Sequence, residues 1–333
     1  MEKKIRIGIN GFGRIGRLIA RMLIHQEEFE LVAINDLSDI ATLTHLFKYD
    51  SAHGISEETI SCNEKAMVVN GTEIDVYNEP DPSQLQWGAK QVDFVIEATG
   101  RFTSLEGASQ HIAAGAKKVI ISAPAKDPIK MIVMGVNEDI LTSEDKVVSN
   151  ASCTTNCLAP LVKVLDENFG IEKGYISTVH AYTADQNLHD APHRDLRRSR
   201  AAALSIIPTS TGAAKAVGKV IPSMLGKLDG IALRVPIPVG SLTDFTAILK
   251  NATDRETVNS AFQNAANSSL KGYLEYSEAP IVSSDIVGNS HSSILDAPLT
   301  SVNGNLVKLV SWYDNEYGYS ARTIDLIRYM AEM

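Results

Sequence analysis

Gly11-Phe12-Gly13-Arg14-Ile15-Gly16 narrows the possible folds of this chain more than any other stretch. It matches G-x-G-x-x-G and has the surroundings that give the spacing meaning. Ile5, Ile7 and Ile9 alternate before it, and Leu18, Ile19, Met22 and Leu23 follow at three- and four-residue spacings. A strand turning sharply into a helix needs the first glycine for the tight turn and the third for close helix-to-strand packing. The second lets a pyrophosphate approach the backbone and rest on the helix N-terminus. Asp36 ends the next apolar run, Leu31 to Ile34, at about the 20-residue spacing where a carboxylate accepts hydrogen bonds from a ribose. The plainer alternative is a glycine-rich turn with a helix-capping Asp.

The pattern of strand, turn and helix continues. Val92 to Ile96, Val119 to Ile121, Met131 to Val136 and Val147 to Val148 read as strands, with a helix near Ser104 to Ala114. That is a doubly wound parallel sheet of Rossmann type. After about residue 150 the strands lengthen and alternate, as in Tyr175 to Val179, Ile231 to Val235, Leu242 to Ile248 and Leu306 to Trp312, so a second, α+β domain with a largely antiparallel sheet is expected. Ala321 to Met333 reads as a closing helix. At 333 residues the chain has room for about two domains of roughly 150 residues each.

Composition excludes several classes. The net charge of −9 repels nucleic-acid phosphates and anionic membrane surfaces, so no dedicated nucleic acid or membrane partner is expected. Met1 to Arg6 is charged, with no apolar stretch of signal-peptide or membrane-helix length, and export is not expected. Only three cysteines occur, Cys62, Cys153 and Cys157, which argues against a disulfide framework and leaves room for a reactive thiol in a reducing cytoplasm. No metal site is expected.

Ser152-Cys153-Thr154-Thr155-Asn156-Cys157 stands where a strand meets a helix carrying Leu158, Leu161, Val162 and Leu165 on one face. Cys153 therefore sits at a helix N-terminus, where the dipole favours a nucleophilic thiolate; a small buried hydrophobe is the equal alternative. Cys157, one turn on, is expected to be buried, and Pro160 lies inside the helix. His180 ends a strand as a possible base, although eight histidines leave the choice open on pattern alone. Arg194, Arg197, Arg198 and Arg200 suit a phosphate site or a subunit interface, or else a solvated helix face. Thr209-Ser210-Thr211-Gly212 has the makings of an anion nest. Arg234, inside an apolar strand, requires an anion, whether a ligand or a buried Asp.

The order and identity of Ile9 to Arg17, Ser149 to Cys157, Asp195-Leu196-Arg197-Arg198 and Trp312-Tyr313-Asp314-Asn315-Glu316 closely resemble the phosphorylating glyceraldehyde-3-phosphate dehydrogenase family over essentially the whole chain. The resemblance implies an NAD-binding Rossmann domain over 1–152, completed by the C-terminal helix 316–333, and a catalytic domain over 153–315. It further implies that Cys153 attacks the aldehyde of glyceraldehyde 3-phosphate, that His180 serves as acid and base, and that hydride passes from a hemithioacetal to NAD. Inorganic phosphate then cleaves the thioester to 1,3-bisphosphoglycerate. By the same resemblance Thr183 and Arg234 take the substrate phosphate, while Ser152, Thr154, Thr211 and Gly212 take inorganic phosphate. Arg198 serves the region between them. Gly11, Phe12, Gly13, Arg14, Ile15, Gly16, Asp36, Thr99 and Ser122 bind NAD, and Asn315 holds the nicotinamide carboxamide.

A cytoplasmic homotetramer is implied as well. Pro80 stands where many members have an arginine near the adenine, and Tyr317 where many have tryptophan. The nearest rival, erythrose-4-phosphate dehydrogenase, shares the cysteine and histidine but lacks the Tyr182-Thr183 and Thr209-Ser210-Thr211-Gly212 segments found here. A secondary binding role, such as association with RNA through the dinucleotide groove, is opposed by the net charge.

Overall fold

The computed structural model describes residues 3–333; Met1 and Glu2, the first of the charged start, lie outside the described residues. The chain divides into two compact units. Among the described residues the first comprises 3–132, Asp139–Ala151 and Ser320–Met333, and the second Val133–Glu138 and Ser152–Tyr319.

The first unit is built on a nine-stranded sheet with Ile5–Asn10 near its middle. On one side lie Phe29–Asn35, Thr72–Tyr77, Ala66–Val69 and Ile60–Cys62, and on the other Phe94–Glu97, Lys118–Ile121, Val147–Ser149 and Lys130–Met131. All pairs from Lys130–Met131 to Thr72–Tyr77 are parallel, and only the last two pairings, of Ala66–Val69 with Thr72–Tyr77 and with Ile60–Cys62, are antiparallel. These antiparallel strands are an addition to the parallel pattern legible in the sequence. Parallel strands need crossovers, supplied by the helices Arg14–Leu23, Ile40–Lys48 and Leu105–Ala113. Ile7, Ile9, Leu18, Ile19 and Leu23 are buried, as their spacing demands. Trp87, fully buried, packs so closely on Gly8 that a Cβ there would meet its ring at 2.8 Å.

The expected strand Met131 to Val136 is corrected: pairing ends at Met131. Asn137 Oδ1 accepts from Val133 N–H at 2.8 Å, and Gly135 takes a φ of +83°, so the apolar run turns back on itself. The C-terminal helix is Tyr317–Ala331. Its later part belongs to the first unit, where Asn150 Nδ2 donates to Thr323 Oγ1 at 3.0 Å and Lys118 Nζ to Met330 O at 2.9 Å.

The second unit holds an eight-stranded sheet. Its order is Ile207–Ser210, Leu228–Val235, Ile171–Ala181, Ser241–Leu249, Leu306–Tyr313, Ser293–Asp296 and Leu274–Ser277, with Ser301–Asn303 beside Leu306–Tyr313. Two of its pairings are parallel and the rest antiparallel, in keeping with the expected largely antiparallel sheet. Helix Cys153–Phe169 packs on it with Leu158, Leu161, Val162 and Leu165 buried, and it continues through Pro160. No helix forms over the arginine-rich run, which corrects the solvated-helix alternative. Pro192 to Arg200 is a loop of turns, with Asp195 Oδ1 accepting from Arg197 N–H at 2.9 Å and His193 Nδ1 from Asp195 N–H at 2.9 Å.

Candidate active site

At the carboxyl ends of the central strands of the first unit lies a cavity of about 260 Å³, bordered by Gly11, Gly13, Asp36, Pro80, Thr99 and Phe102 among others. It sits where the strand order reverses, the usual place for a ligand on such a sheet. Gly11 has a φ of +94°, and a Cβ on it would meet the Ala98–Thr99 peptide at 2.7 Å. Gly13 caps helix Arg14–Leu23 without a side-chain cap, no acid occupies the first turn, and a Cβ on Gly13 would meet nothing within 4 Å. The helix thus opens its N–H groups onto free space that an anion can enter. Asp36 accepts from Phe12 N–H at 2.9 Å and from Ser38 N–H at 3.0 Å, which holds its carboxylate beside the glycine turn. These features fit a dinucleotide.

Of the other expected cofactor residues only Thr99 borders this cavity, and the rest are placed as follows. Phe12 turns its ring into the core against Phe47 and offers only backbone, and Ile15 is half-buried at the start of the helix. Arg14 is ion-paired with Asp50 at 2.9 Å. Thr99 borders the cavity, with its hydroxyl and N–H both donating to Glu97. Ser122 follows strand Lys118–Ile121, and its N–H donates to Glu97 O at 2.9 Å. In the second unit Asn315 Oδ1 accepts from Gly240 N–H at 3.2 Å and Ser241 Oγ at 3.0 Å, which leaves its Nδ2 hydrogens for a carbonyl oxygen.

Also in the second unit, Cys153 is the first residue of helix Cys153–Phe169, and Ser152 caps that helix by accepting from Thr155 N–H at 3.1 Å. Its Sγ lies 3.4 Å from His180 Nε2. His180 Nδ1 lies 2.7 Å from Ala181 O, and because a carbonyl only accepts, Nδ1 carries the proton and Nε2 turns its lone pair to the thiol. The Arg234 Nη1 contact with Nδ1 at 3.3 Å is therefore electrostatic, both groups donating to Ala181 O. Burial pushes the Cys153 thiol up, against the opposite pull of Arg234 and Thr154. His180 is pushed down to about 3, by burial first and Arg234 second. Both shifts favour the neutral thiol and the neutral imidazole, the opposite of the thiolate that the helix start alone leads one to expect. Cys157, fully buried near Ser293 and the Ser311 carbonyl, is pushed up to about 11 by burial, which disfavours its thiolate.

Arg234 and Arg198 lie within electrostatic reach of His180, and the other residues expected to hold phosphate are placed as follows. Arg234 Nη1 donates to Thr183 Oγ1 at 2.9 Å, and Arg198 Nε donates to Thr209 Oγ1 at 3.0 Å. Thr211 Oγ1 accepts from Ala213 N–H at 3.2 Å, and Gly212 caps helix Ala213–Val220 with open space where a Cβ would be. Thr154 is buried, its hydroxyl 2.9 Å from the Tyr313 hydroxyl. Two participants escaped the sequence reading. Asp185 is bridged by Thr183 and Arg198; although burial pushes its carboxyl up, Thr183, Arg234 and Arg198 hold it below the ordinary range. Tyr313 OH lies 2.9 Å from both Thr154 and Thr178, and its ring stands edge-on to His180 with centroids 5.9 Å apart. A tyrosine ending an apolar strand was the available signal for it.

Among the described residues no group of three His, Cys, Asp or Glu side chains is arranged to hold a metal, and no helix is long and apolar enough to cross a membrane. Two family models match: glyceraldehyde 3-phosphate dehydrogenase, NAD binding domain, over residues 5–105, and its C-terminal domain over residues 152–315. The chain is 56% identical to the glyceraldehyde-3-phosphate dehydrogenase of Mycobacterium avium over 330 residues, 97% of either protein. It is also 56% identical to that of Geobacillus stearothermophilus over 329 residues, 98% of either, and 55% identical to that of Mycobacterium leprae over 330 residues, 97% of either. The chain belongs to the glyceraldehyde-3-phosphate dehydrogenase family, with NAD as its cofactor.

Proposed function

We propose that the protein oxidises glyceraldehyde 3-phosphate to 1,3-bisphosphoglycerate through covalent intermediates on Cys153. The observation that carries this is the 3.4 Å approach of Cys153 Sγ to a His180 nitrogen whose lone pair is fixed by the Nδ1–H bond to Ala181 O. His180 takes the thiol proton as sulfur bonds to the aldehyde carbon and returns it to the carbonyl oxygen, which gives a neutral hemithioacetal. As hydride leaves that carbon, His180 takes the hydroxyl proton and the thioester forms. Bound NAD supplies the hydride acceptor. A phosphate oxygen then attacks the thioester carbonyl, the carbon–sulfur bond breaks, and the leaving thiolate takes back the proton held by His180.

Arg234 and Thr183, already bonded to each other, suit the substrate phosphate. Ser152, the Thr154 N–H, Thr211 and Gly212 suit inorganic phosphate at two helix N-termini, with Arg198 between the two anions. The glycine turn from Gly11 to Gly16 takes the pyrophosphate, Asp36 the ribose, Thr99 and Ser122 the neighbouring wall, and Asn315 the carboxamide. The intervals 1–152 with 316–333, and 153–315, serve as cofactor-binding and catalytic domains. Leu188, Leu196, Leu204 and Ile206, each more than 60% exposed in one loop region, support a homotetramer that buries them. A cytoplasmic site of action agrees with three unpaired cysteines.

The test is NADH absorbance with the triose phosphate, NAD and inorganic phosphate, omitting each in turn. Sustained turnover requires all three; full turnover without inorganic phosphate would contradict the phosphorylating reaction.

A further inference from the structure

The cavity of the first unit stands on a row of buried polar side chains that takes no part in the chemistry at Cys153. Glu97, 1% exposed, ends strand Phe94–Glu97. Its Oε1 accepts from Thr99 N–H at 2.9 Å and from the Thr99 hydroxyl. Its Oε2 accepts from Asn10 Nδ2 at 2.6 Å and lies 2.9 Å from His111 Nε2. Asn10 Oδ1 accepts from Asn35 Nδ2 at 2.7 Å, and Asn35 grips the Glu79 backbone by its N–H and its carbonyl, each at 2.9 Å. The ends of three adjacent parallel strands are thereby bridged side chain to side chain, from the Thr99 wall of the cavity to its Glu79–Pro80 wall.

His111 gives this row its direction. It is fully buried on helix Leu105–Ala113, and its Nδ1 lies 3.0 Å from Trp87 Nε1. An indole N–H only donates, so Nδ1 accepts and the ring proton sits on Nε2, aimed at Glu97. A carboxylate this deep is tolerable because four donors converge on it, and a loss among them leaves a buried charge under-satisfied. We propose that Glu97 and His111 are positioning residues for the cofactor: the relay from Trp87 through His111 to Glu97 fixes the Thr99 and Asn10 side chains, and so sets the separation of the two pocket walls before the dinucleotide arrives. This rests on the reading that the cavity takes the adenosine half of NAD.

The test is calorimetric titration of the full-length protein, freed of nucleotide, with NAD and with ADP-ribose. His111→Leu removes the donor to Glu97 and weakens both ligands by about tenfold or more, the scale of one hydrogen bond to a charged group. His111→Gln, whose amide can donate to Glu97 with one end and accept from Trp87 with the other, stays within about threefold of the wild type. In steady-state assays the loss appears in KM for NAD and not in kcat. Equal losses in the two variants, or none in folded His111→Leu, overturn the proposal. If His111→Leu does not fold, Trp87→Phe replaces it: a weakened ADP-ribose affinity together with a changed His111 tautomer in its 15N spectrum is expected, and an unchanged affinity overturns the relay. Asp36→Ala serves as the reference. Its failure to weaken ADP-ribose would overturn the pocket reading and the proposal with it, whereas an intact response there with none in the His111 variants sinks the positioning role alone.

Discussion

His180 should make the protein acid-sensitive in a way that one substitution reveals. Its ionisation in the fold is pushed from 6.5 down to about 3, by burial first and by Arg234 second. In an unfolded chain histidine takes its proton at about pH 6.5. Between those limits the unfolded state binds a proton that the folded state refuses, so stability is fully present above about pH 6.5 and is lost as pH falls towards 3. One pH unit of such a difference is about 1.4 kcal/mol, so going from about pH 7 to about pH 4.5 costs roughly 2 to 3 kcal/mol through this group alone. The assay is denaturant unfolding of the wild type and of His180→Gln at both pH values, in which every other titrating group is shared. The wild type should lose roughly 2 to 3 kcal/mol more than the variant on acidification. Equal losses would refute the buried, neutral imidazole and with it the proton-accepting Nε2 beside Cys153.

Further outcomes follow from the same geometry. Cys153→Ser should abolish dehydrogenase activity while Cys157→Ser keeps most of it, and iodoacetamide at neutral pH should label Cys153 in preference to Cys157, which burial pushes up to about 11; equal loss in two folded variants contradicts the assignment. Asp36 should favour NAD over NADP, because its carboxylate repels a 2′-phosphate and Leu37 offers no compensating charge; comparable kcat/KM for the two cofactors, or no relative gain in NADP use in Asp36→Ala, would count against it. Arg234→Leu should cost roughly 2 to 5 kcal/mol of transition-state stabilisation with glyceraldehyde 3-phosphate and much less with glyceraldehyde; equal harm to both aldehydes makes Arg234 a scaffold for His180, whose ring it touches. Thr211→Ala should raise KM for inorganic phosphate and leave KM for the aldehyde nearly unchanged, as progress curves at varied phosphate would show.

What the sequence made legible, and what it hid, divides by range. The turn Gly11 to Gly16, the helix that follows it, and the carboxylate at Asp36 are short-range features, each implied by spacing within one strand-turn-helix unit. Cys153 at a helix start was likewise local, since a capping Ser precedes an apolar face. The pairing of Cys153 with His180 was not, because it depends on where a distant strand ends, and only family resemblance picked His180 from eight histidines. Asp185 and Tyr313 escaped for the same reason: their partners Arg198, Thr154 and Thr178 come from other segments. Met131 to Val136 misled because apolar content reads as strand, whereas Gly135 and Asn137 impose a turn through backbone conformation and one hydrogen bond. The Trp87–His111–Glu97 relay left no trace in periodicity, since its polar members occupy positions that the pattern assigns simply to the interior.

The most direct test of covalent chemistry at Cys153 is rapid-quench mass spectrometry of the protein mixed with NAD and glyceraldehyde 3-phosphate in the absence of inorganic phosphate. The geometry predicts one equivalent of NADH per chain in a burst and a phosphoglyceryl thioester on the peptide carrying Cys153, which disappears within a turnover when inorganic phosphate is added. NADH formed with no adduct on that peptide, or an adduct on Cys62 or Cys157 instead, would contradict it.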